Sequence, residues 1–271
     1  MTKFVVRLAL LFVSCLALAL APVSAQAAPA FEVLAFYNGT YDAAHISFVK
    51  EANQWFPKTA SQHNFDYAAT NDWNRLNSLQ PSQYQVVLFL DDLPQTSSQR
   101  AGFERYMKAG GAFFGFHVAA FTTNPSGWDW YHNRFLGTGA FKSNTWGPTT
   151  AKLKVENRPH PSTTRLPATF TSSVSEWYAW SSDLRKNQDI RILASVDPVS
   201  FPLGTDPNQS WYGGYYPILW TNTKYKMLYA NFGHNKMNYE TNQPLSSTFA
   251  SEVQNRFVVD GLLWLGGVKA S

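Results

Sequence analysis

The side chains best suited to chemistry stand just after short apolar segments of the sequence. They comprise three histidines and a pair of carboxylates, namely His45, His117, His234, Asp91 and Asp92. Imidazole and carboxylate groups exchange protons and bind divalent metal ions. If the apolar segments are parallel strands, these side chains should converge on one cleft, because such sheets bind ligands beyond the carboxyl ends of their strands.

His117 lies in Gly115-Phe116-His117-Val118-Ala119, which has the pattern of a sharp strand-to-helix turn flanked by small residues. The same pattern holds the nucleophile in G-x-S-x-G motifs, where the backbone packs closely. An imidazole at the central position acts as an acid, a base or a metal ligand and seldom as a lasting nucleophile. We therefore predict an acid–base role for His117.

Glu176 is the second candidate for acid–base catalysis. It stands among aromatic residues in Ser175-Glu176-Trp177-Tyr178. Burial among aromatic rings is expected to raise the pKa of its carboxyl group, which would suit proton transfer near neutral pH. A carboxylate at the periphery of a strand is the alternative interpretation.

A divalent metal ion, Zn²⁺ or Mn²⁺, is the cofactor that the histidines suggest. The candidate ligands are His45, His234 and His160. His160 lies in the rigid turn Arg158-Pro159-His160-Pro161, which could aim its ring into the cleft or lie on the surface. Neither H-x-x-x-H nor H-E-x-x-H occurs, so the hypothesis depends on convergence in space.

Large aromatic residues are concentrated in the middle and late parts of the chain. Their faces stack on the apolar faces of sugar rings, and their polar tips hydrogen-bond hydroxyl groups. Core packing explains some of them, but their Gly- and Asn-rich surroundings favour a carbohydrate ligand, with Asp91 as a further contact. The candidate sugar-binding residues are Trp128, Trp130, Tyr131, Trp177, Tyr178 and Tyr216, and Trp146, Trp180, Trp211, Tyr212 and Tyr215 lie in the same segments.

The start of the chain has the pattern of a secretory signal peptide. Lys3 and Arg7 precede the apolar run Leu8–Ala21, and Ala25-Gln26-Ala27 is a good cleavage site. We therefore assign residues 1–27 to a signal peptide and expect an exported protein, periplasmic or secreted, with no membrane attachment after cleavage. Two charges of the formal net charge of +4 lie in this leader, and no basic run follows, which excludes nucleic-acid binding.

Alternating strands and helices are needed to position the polar residues. The apolar runs Phe31–Phe36, Gln85–Leu90 and Ala112–Phe116 predict buried strands, with an amphipathic helix after each of the first two. Strands that are apolar throughout indicate a parallel sheet covered on both faces. A single α/β domain over residues 28–271, with a long aromatic-rich insertion, fits best. Later in the chain, a short helix is predicted at Trp128–Leu136 and a closing helix from about Thr248 to Leu265. Strands are predicted at Ala151–Val155, Ile190–Val196, Tyr216–Trp220 and Met227–Phe232.

Several motifs follow one another in a fixed order from about Phe31 to Val268. The most recognisable stretch is the segment 109–120, AGGAFFGFHVAA. It is followed by Trp128-Asp129-Trp130-Tyr131, Phe135-Leu136-Gly137, His160-Pro161, Glu176-Trp177-Tyr178, Arg191-Ile192-Leu193-Ala194, Phe232-Gly233-His234 and a final stretch at 261–267. In this order the motifs resemble the ThuA-like (trehalose utilisation) family.

The resemblance implies a flavodoxin-like sheet, similar to that of class I glutamine amidotransferases, with His117 in place of the amidotransferase cysteine. Glutaminase activity is not expected, and Cys15 in the leader is the only cysteine, which independently excludes a cysteine nucleophile. The family is linked to the use of trehalose and related disaccharides through oxidised (keto) sugars. His45, His117, Glu176 and His234 fall where the family carries polar cleft residues.

The leading interpretation is an exported enzyme that acts on a disaccharide or keto-sugar. Many members of the family carry His-Pro-Val before a tryptophan, where this chain has Tyr216-Pro217-Ile218. The missing histidine favours the main alternative, a carbohydrate-binding protein without catalytic activity. A metal-dependent hydrolase of another substrate is the third interpretation.

Overall fold

The computed structural model describes residues 28–40, 42–145, 147–197, 200 and 214–269, over which three α-helices and thirteen strands are present beside short 3₁₀ and π-helical turns. In chain order they are β1 (Glu32–Tyr37), α1 (Ala43–His63), β2 (Asp66–Thr70), β3 (Val86–Leu90), α2 (Ser97–Lys108), β4 (Ala112–Phe116), β5 (Phe141–Asn144), β6 (Lys152–Val155), β7 (Thr169–Thr171), β8 (Tyr178–Trp180), β9 (Ile190–Val196), β10 (Tyr216–Asn222), β11 (Met227–Ala230), β12 (Met237–Asn238), β13 (Gln243–Pro244) and α3 (Glu252–Leu265).

Nine of the strands form one sheet in the order β2-β1-β3-β4-β11-β10-β9-β6-β7. The first five are parallel to one another, and their order is that of the flavodoxin-like fold. The four pairings beyond β11 are antiparallel. The predicted α/β class and flavodoxin-like sheet are therefore confirmed, with an antiparallel extension on one side.

Burial explains why the central strands are apolar at every position. Each residue of β3, β4 and β11 is buried, because helices cover both faces of the sheet. Helices α1 and α3 pack on one face through Phe48, Phe56 and Phe257. Helix α2 packs on the other face through Phe103 and Tyr106. The two covering layers hold the strand ends in a fixed arrangement.

Helix caps fix the residues at which the first two helices begin. Asp42 accepts a hydrogen bond of 2.8 Å from the Ala44 N–H, which starts α1 and places His45 in its first turn. Thr96 and Gln99 form a capping box at the start of α2.

Other local predictions need correction. β2 was not predicted, because this edge strand has no fully buried residue and lacks an apolar pattern. The predicted helix at Trp128–Leu136 is a 3₁₀ turn over Pro125–Trp128 followed by a π-helical turn over Trp130–Phe135. β11 ends at Ala230, so His234 is reached through an extended segment rather than directly from the strand.

Among the described residues, no helix has the length and apolar character needed to cross a membrane. The predicted signal peptide, residues 1–27, lies outside the described part of the chain.

The packing of α2 leads to a first prediction. A Cβ atom added at Gly102 would lie 2.2 Å from the Leu76 carbonyl oxygen. We expect Gly102→Ala to lower the free energy of unfolding by about 1–3 kcal/mol, because the backbone cannot give way easily. At an open helical position the same change would stabilise by up to about 1 kcal/mol. Urea unfolding measures the difference, with the exposed Ser98→Ala as control, and a stabilised variant would contradict the close contact.

Candidate active site

Five polar side chains meet at the carboxyl ends of the parallel strands. Asp91 directly follows β3, His117 directly follows β4 and His234 comes four residues after β11. His45 lies in the first turn of α1, and Glu176 lies two residues before β8. One ring nitrogen from each histidine lies within 4.8 Å of the others. The structure thus brings these five residues together, and we call them the polar cluster.

The backbone at the polar cluster is strained at two residues that are not glycine. His117 has a φ of 45° and Asp91 a φ of 59°. Such left-handed conformations cost on the order of 1–3 kcal/mol and persist mainly at functional sites. Gly233, at a φ of 154°, packs so closely that a Cβ atom there would lie 2.8 Å from the His117 Cβ. The sharp turn predicted around His117 is therefore present.

Both ring nitrogens of the fully buried His117 face oxygen atoms. Nδ1 lies 3.0 Å from Asp91 Oδ1, which also accepts a 3.0 Å hydrogen bond from the Val118 N–H. Nε2 lies 3.1 Å from the Glu176 main-chain oxygen and 3.7 Å from Glu176 Oε2. The Tyr229 hydroxyl donates to the His117 carbonyl at 2.8 Å. A neutral imidazole has a single N–H, so this ring faces more acceptors than it can satisfy.

Burial opposes charge on His117 and Asp91. Desolvation lowers the pKa of His117 to about 3, although the Glu176 carboxylate acts in the opposite direction. Desolvation raises the pKa of Asp91, against the effects of His45 and the Val118 hydrogen bond. A neutral His117 ring has one N–H for its two oxygen-facing nitrogens. The contact at the other nitrogen is therefore favourable only if Asp91 carries a proton or a cation lies in the polar cluster.

Glu176 is fixed by contacts on both of its carboxylate oxygens. Asn144 Nδ2 donates to Oε1 at 2.5 Å, and Oε2 lies 3.4 Å from His234 Nδ1. Burial alone would raise the pKa of Glu176, but the hydrogen bond to His234 and the nearby His117 ring hold it below its ordinary value. The sequence predicted a raised pKa, which is wrong because the aromatic surroundings did not reveal the two imidazoles.

His45 and His234 complete the polar cluster. His45 Nε2 lies 3.0 Å from His234 Nδ1 and 4.0 Å from Asp91 Oδ2, a buried oxygen that has no hydrogen-bond partner among the described residues. Burial lowers the pKa of His45 to about 4. Burial also acts to lower the pKa of His234, but the Glu176 carboxylate outweighs it and raises that pKa. These imidazole and carboxylate groups can exchange protons or hold a metal ion.

A cleft of about 540 Å³ opens beside the polar cluster. Its wall includes His45, Asp92 and the rings of Trp128 and Tyr178. Burial raises the pKa of the Asp92 carboxyl group, against hydrogen bonds from neighbouring donors. The volume lies within the usual range of small-molecule sites. Further polar lining comes from Asn38, Gln95, Arg100, Thr122, Asn124 and His132.

Residues 33–250 match the family model of ThuA, which is described as trehalose utilisation. The chain belongs to the ThuA family. A crystal structure of a ThuA-like protein from Bacteroides uniformis ATCC 8492 is similar, with 33% sequence identity and a TM-score of 0.78 over 90% of this chain and 95% of that one.

A more distant ThuA-like protein, from Parabacteroides merdae ATCC 43184, shares the fold at 16% identity and a TM-score of 0.59, over 90% of this chain and 92% of that one. A comparison with curated proteins gives no match. The family and the fold that the resemblance implied are confirmed.

Two of the predicted sugar-binding aromatics of this ThuA-family protein line the cleft, and two others belong to the core. Trp128 and Tyr178 line the cleft, and the Tyr178 ring centroid lies 4.1 Å from that of His117. The fully buried Tyr131 and Trp177 donate to main-chain oxygens of Ala119 and Thr149 and belong to the core.

The remaining aromatic candidates lie away from the cleft. Trp130 stacks on Phe135, and Tyr216 lines a separate depression with Tyr215 and Arg185. Trp180 is buried in the core against Trp220. Trp146, Trp211 and Tyr212 lie outside the described residues.

His160 is not part of the polar cluster of this ThuA-family protein. Its Nδ1 lies 2.7 Å from the Ser162 hydroxyl, and its ring packs edge-on against Trp264 of α3 at 4.6 Å. Its prediction as a metal ligand is therefore corrected. The turn between two prolines is rigid, as expected, but it directs the ring towards α3.

Two asparagines that shape the site were not identified from the sequence. Asn144 holds the Glu176 carboxylate, and Asn231 donates to the Glu176 carbonyl at 2.9 Å. No local pattern points to them, because they approach Glu176 from distant parts of the chain. Asp92, which the sequence identified together with Asp91, lines the cleft as expected.

The buried position of His160 leads to a prediction of acid sensitivity. Burial lowers its pKa to about 4, whereas a histidine in the unfolded chain titrates near 6.5. The unfolded state therefore binds more protons between these pH values, and stability falls as the pH drops from 6.5 towards 4. We expect His160→Gln to reduce this acid-induced loss by about 1–2 kcal/mol, allowing for partial screening.

Urea unfolding at several pH values measures this difference. His63→Gln, at the end of α1, is the matched control. An unchanged pH dependence in His160→Gln would show that this ring does not titrate differently in the folded state.

Proposed function

We propose that this ThuA-family protein is an exported enzyme that acts on a disaccharide or keto-sugar of the trehalose-utilisation type, by acid–base chemistry assisted by a divalent ion. One observation carries the proposal. The Glu176 carboxylate, held by Asn144 and flanked by the His117 and His234 rings, belongs to the polar cluster, and His45 of that cluster lines a polar cleft with aromatic walls.

The lining of the cleft supports a carbohydrate substrate. Asn38, Asp92 and Arg100 offer donors and acceptors at several points, which suits a ligand with many hydroxyl groups. Trp128 and Tyr178 add aromatic surface against which the apolar face of a sugar ring can pack.

Glu176 is the group best placed to accept a proton from the substrate. Its lowered pKa keeps the carboxylate ionised near neutral pH, and its Oε2 faces the imidazoles rather than the core. His117 has no exposed surface, so we assign its predicted acid–base role to proton exchange within the polar cluster.

Export is part of the proposal and is supported by the sequence of the leader. Lys3, Arg7, the apolar run Leu8–Ala21 and the small residues before Ala28 have the order of a cleaved signal peptide. Mass spectrometry of the protein recovered from its native host tests this. A mature N-terminus at Ala28 is expected, and an intact Met1 terminus in the cytoplasm would contradict export.

Carbohydrate binding without turnover is the second candidate function. It was suggested by Tyr216, which stands where many family members carry histidine. Tyr216 lines the depression next to Tyr215 and Arg185, and the five residues of the polar cluster are all present without it. This arrangement favours the enzyme.

The deciding experiment supplies the protein with disaccharides and their 3-keto derivatives, with and without Zn²⁺ or Mn²⁺. Calorimetry reports binding, and NMR of the mixture reports products. Turnover establishes the enzyme and names its reaction. Binding without turnover supports the binding protein, and the absence of both rejects a carbohydrate function and leaves the hydrolase of another substrate.

A variant of Glu176 tests its assigned role. Glu176→Gln keeps the shape and the Asn144 contact but removes the ionised carboxylate. We expect kcat to fall by about 10²–10⁴-fold with a smaller change in KM, because proton acceptance is lost from the transition state. His160→Gln is the control and should keep the activity of the parent protein. A kcat unchanged in Glu176→Gln would remove the carboxylate from the mechanism.

A further inference from the structure

We propose that His45, His117 and His234 bind one zinc ion through His45 Nε2, His117 Nε2 and His234 Nδ1. The inference deepens the proposed function and rests on it for the use of the ion, while the binding itself is tested separately. It replaces the predicted ligand His160 with His117.

The distances within the polar cluster suit a shared ion. Two ligand atoms that each lie about 2.1 Å from one ion at a tetrahedral angle are about 3.4 Å apart. His45 Nε2 lies 3.0 Å from His234 Nδ1, and one ring nitrogen of each of the three histidines lies within 4.8 Å of the others. Glu176 Oε2, at 3.4 Å from His234 Nδ1 and 3.7 Å from His117 Nε2, borders the same point. Small side-chain rotations would complete the coordination.

An excess of hydrogen-bond acceptors is the second observation. When His117 donates its Nδ1 proton to Asp91, its Nε2 lone pair faces two oxygens of Glu176, and these contacts are repulsive without a positive charge. Asp91 Oδ2 is fully buried, has no hydrogen-bond partner in the part of the chain that the structure describes, and lies 4.0 Å from His45 Nε2. A cation among the rings would neutralise all of these lone pairs at once.

The surrounding hydrogen bonds have the form found around zinc ligands. A metal-bound histidine usually donates its other ring N–H to a carboxylate, which fixes the tautomer and orients the ring. Asp91 Oδ1 is placed to accept from His117 Nδ1 at 3.0 Å, and the Val118 N–H holds that carboxylate in position. The strained turn at His117 places its ring between Asp91 and Glu176, with Nε2 on the side of Glu176.

Three imidazoles select zinc over manganese. Neutral imidazole nitrogen is a good ligand for Zn²⁺, whereas Mn²⁺ prefers carboxylate and water oxygens. Catalytic zinc sites keep one position open for water or substrate beside three protein ligands. Glu176 Oε2 lies 3.4 Å from His234 Nδ1, and beside a bound ion it would accept a proton from water or a sugar hydroxyl at the open position.

The experiment measures metal content without reference to activity. The full chain is purified without added metal, and its ions are counted by mass spectrometry. Chelator-treated protein is then titrated calorimetrically with zinc chloride and with manganese chloride. We expect one zinc per chain, tighter binding of zinc than of manganese, and a higher Tm with zinc.

Variants distinguish the proposed zinc ligands from histidines outside the polar cluster. The double variant His45→Ala/His234→Ala should lose zinc binding, and Asp91→Asn should weaken it by about 10–100-fold through the His117 ring. His160→Gln should bind as the parent does. Circular dichroism and thermal unfolding show whether each variant is folded, and Glu176→Gln, which leaves all three rings in place, serves as a second probe that should retain zinc.

Two results would overturn the site: a chain that binds no zinc, as expected if Asp91 simply holds a proton, or equal zinc binding by the double variant. The proposed function fails separately. Sugar turnover by a chain without zinc would contradict the zinc site and support the carbohydrate function. Bound zinc without any sugar turnover or binding would support the zinc site and contradict the carbohydrate function.

Discussion

The left-handed turn at His117 is the constraint on which the rest of the site depends. A buried imidazole can reach Asp91 and Glu176 together only because the backbone turns sharply after β4. The strain of that turn is balanced by hydrogen bonds from Val118 to Asp91 and from Tyr229 to the His117 carbonyl. The aligned ends of β3, β4 and β11 hold these partners side by side, since Leu90 and Ala230 both pair with Phe116. The apolar core therefore determines the geometry of a polar site.

The aromatic-rich insertion supplies what the parallel sheet lacks. The sheet delivers Asp91, His117 and His234, but the fixed carboxylate comes from the segment before β8, which pairs with β5. This pairing sets Asn144 against Glu176. The Glu176 N–H also donates to the His234 carbonyl at 3.0 Å, which joins the insertion to the strand edge. Insertion and sheet are thus two halves of one site.

The sequence predicted what depends on local periodicity and on chain order. Apolar runs identified β1, β3 and β4, and the motif around Gly115 identified the turn at His117. The rest depends on contacts between distant segments. No local pattern shows that Asn144 meets Glu176, that two imidazoles reverse the expected pKa shift of Glu176, or that His160 turns towards α3. Nor does composition separate Tyr178, in the cleft, from the wholly buried Trp177 beside it.

Desolvation gives the cluster its chemical character. An exposed histidine begins to protonate near pH 6.5, and a protonated ring has no free lone pair. Burial lowers the pKa of His45 to about 4 and that of His117 to about 3, so both rings keep a lone pair well below neutral pH. The same burial would neutralise Glu176, but its contact with His234 keeps the carboxylate ionised. Neutral imidazoles beside an ionised carboxylate are the state in which a site accepts either a metal ion or a substrate proton. The burial that disfavours charge in the core therefore also prepares the cluster to accept a metal ion or a proton.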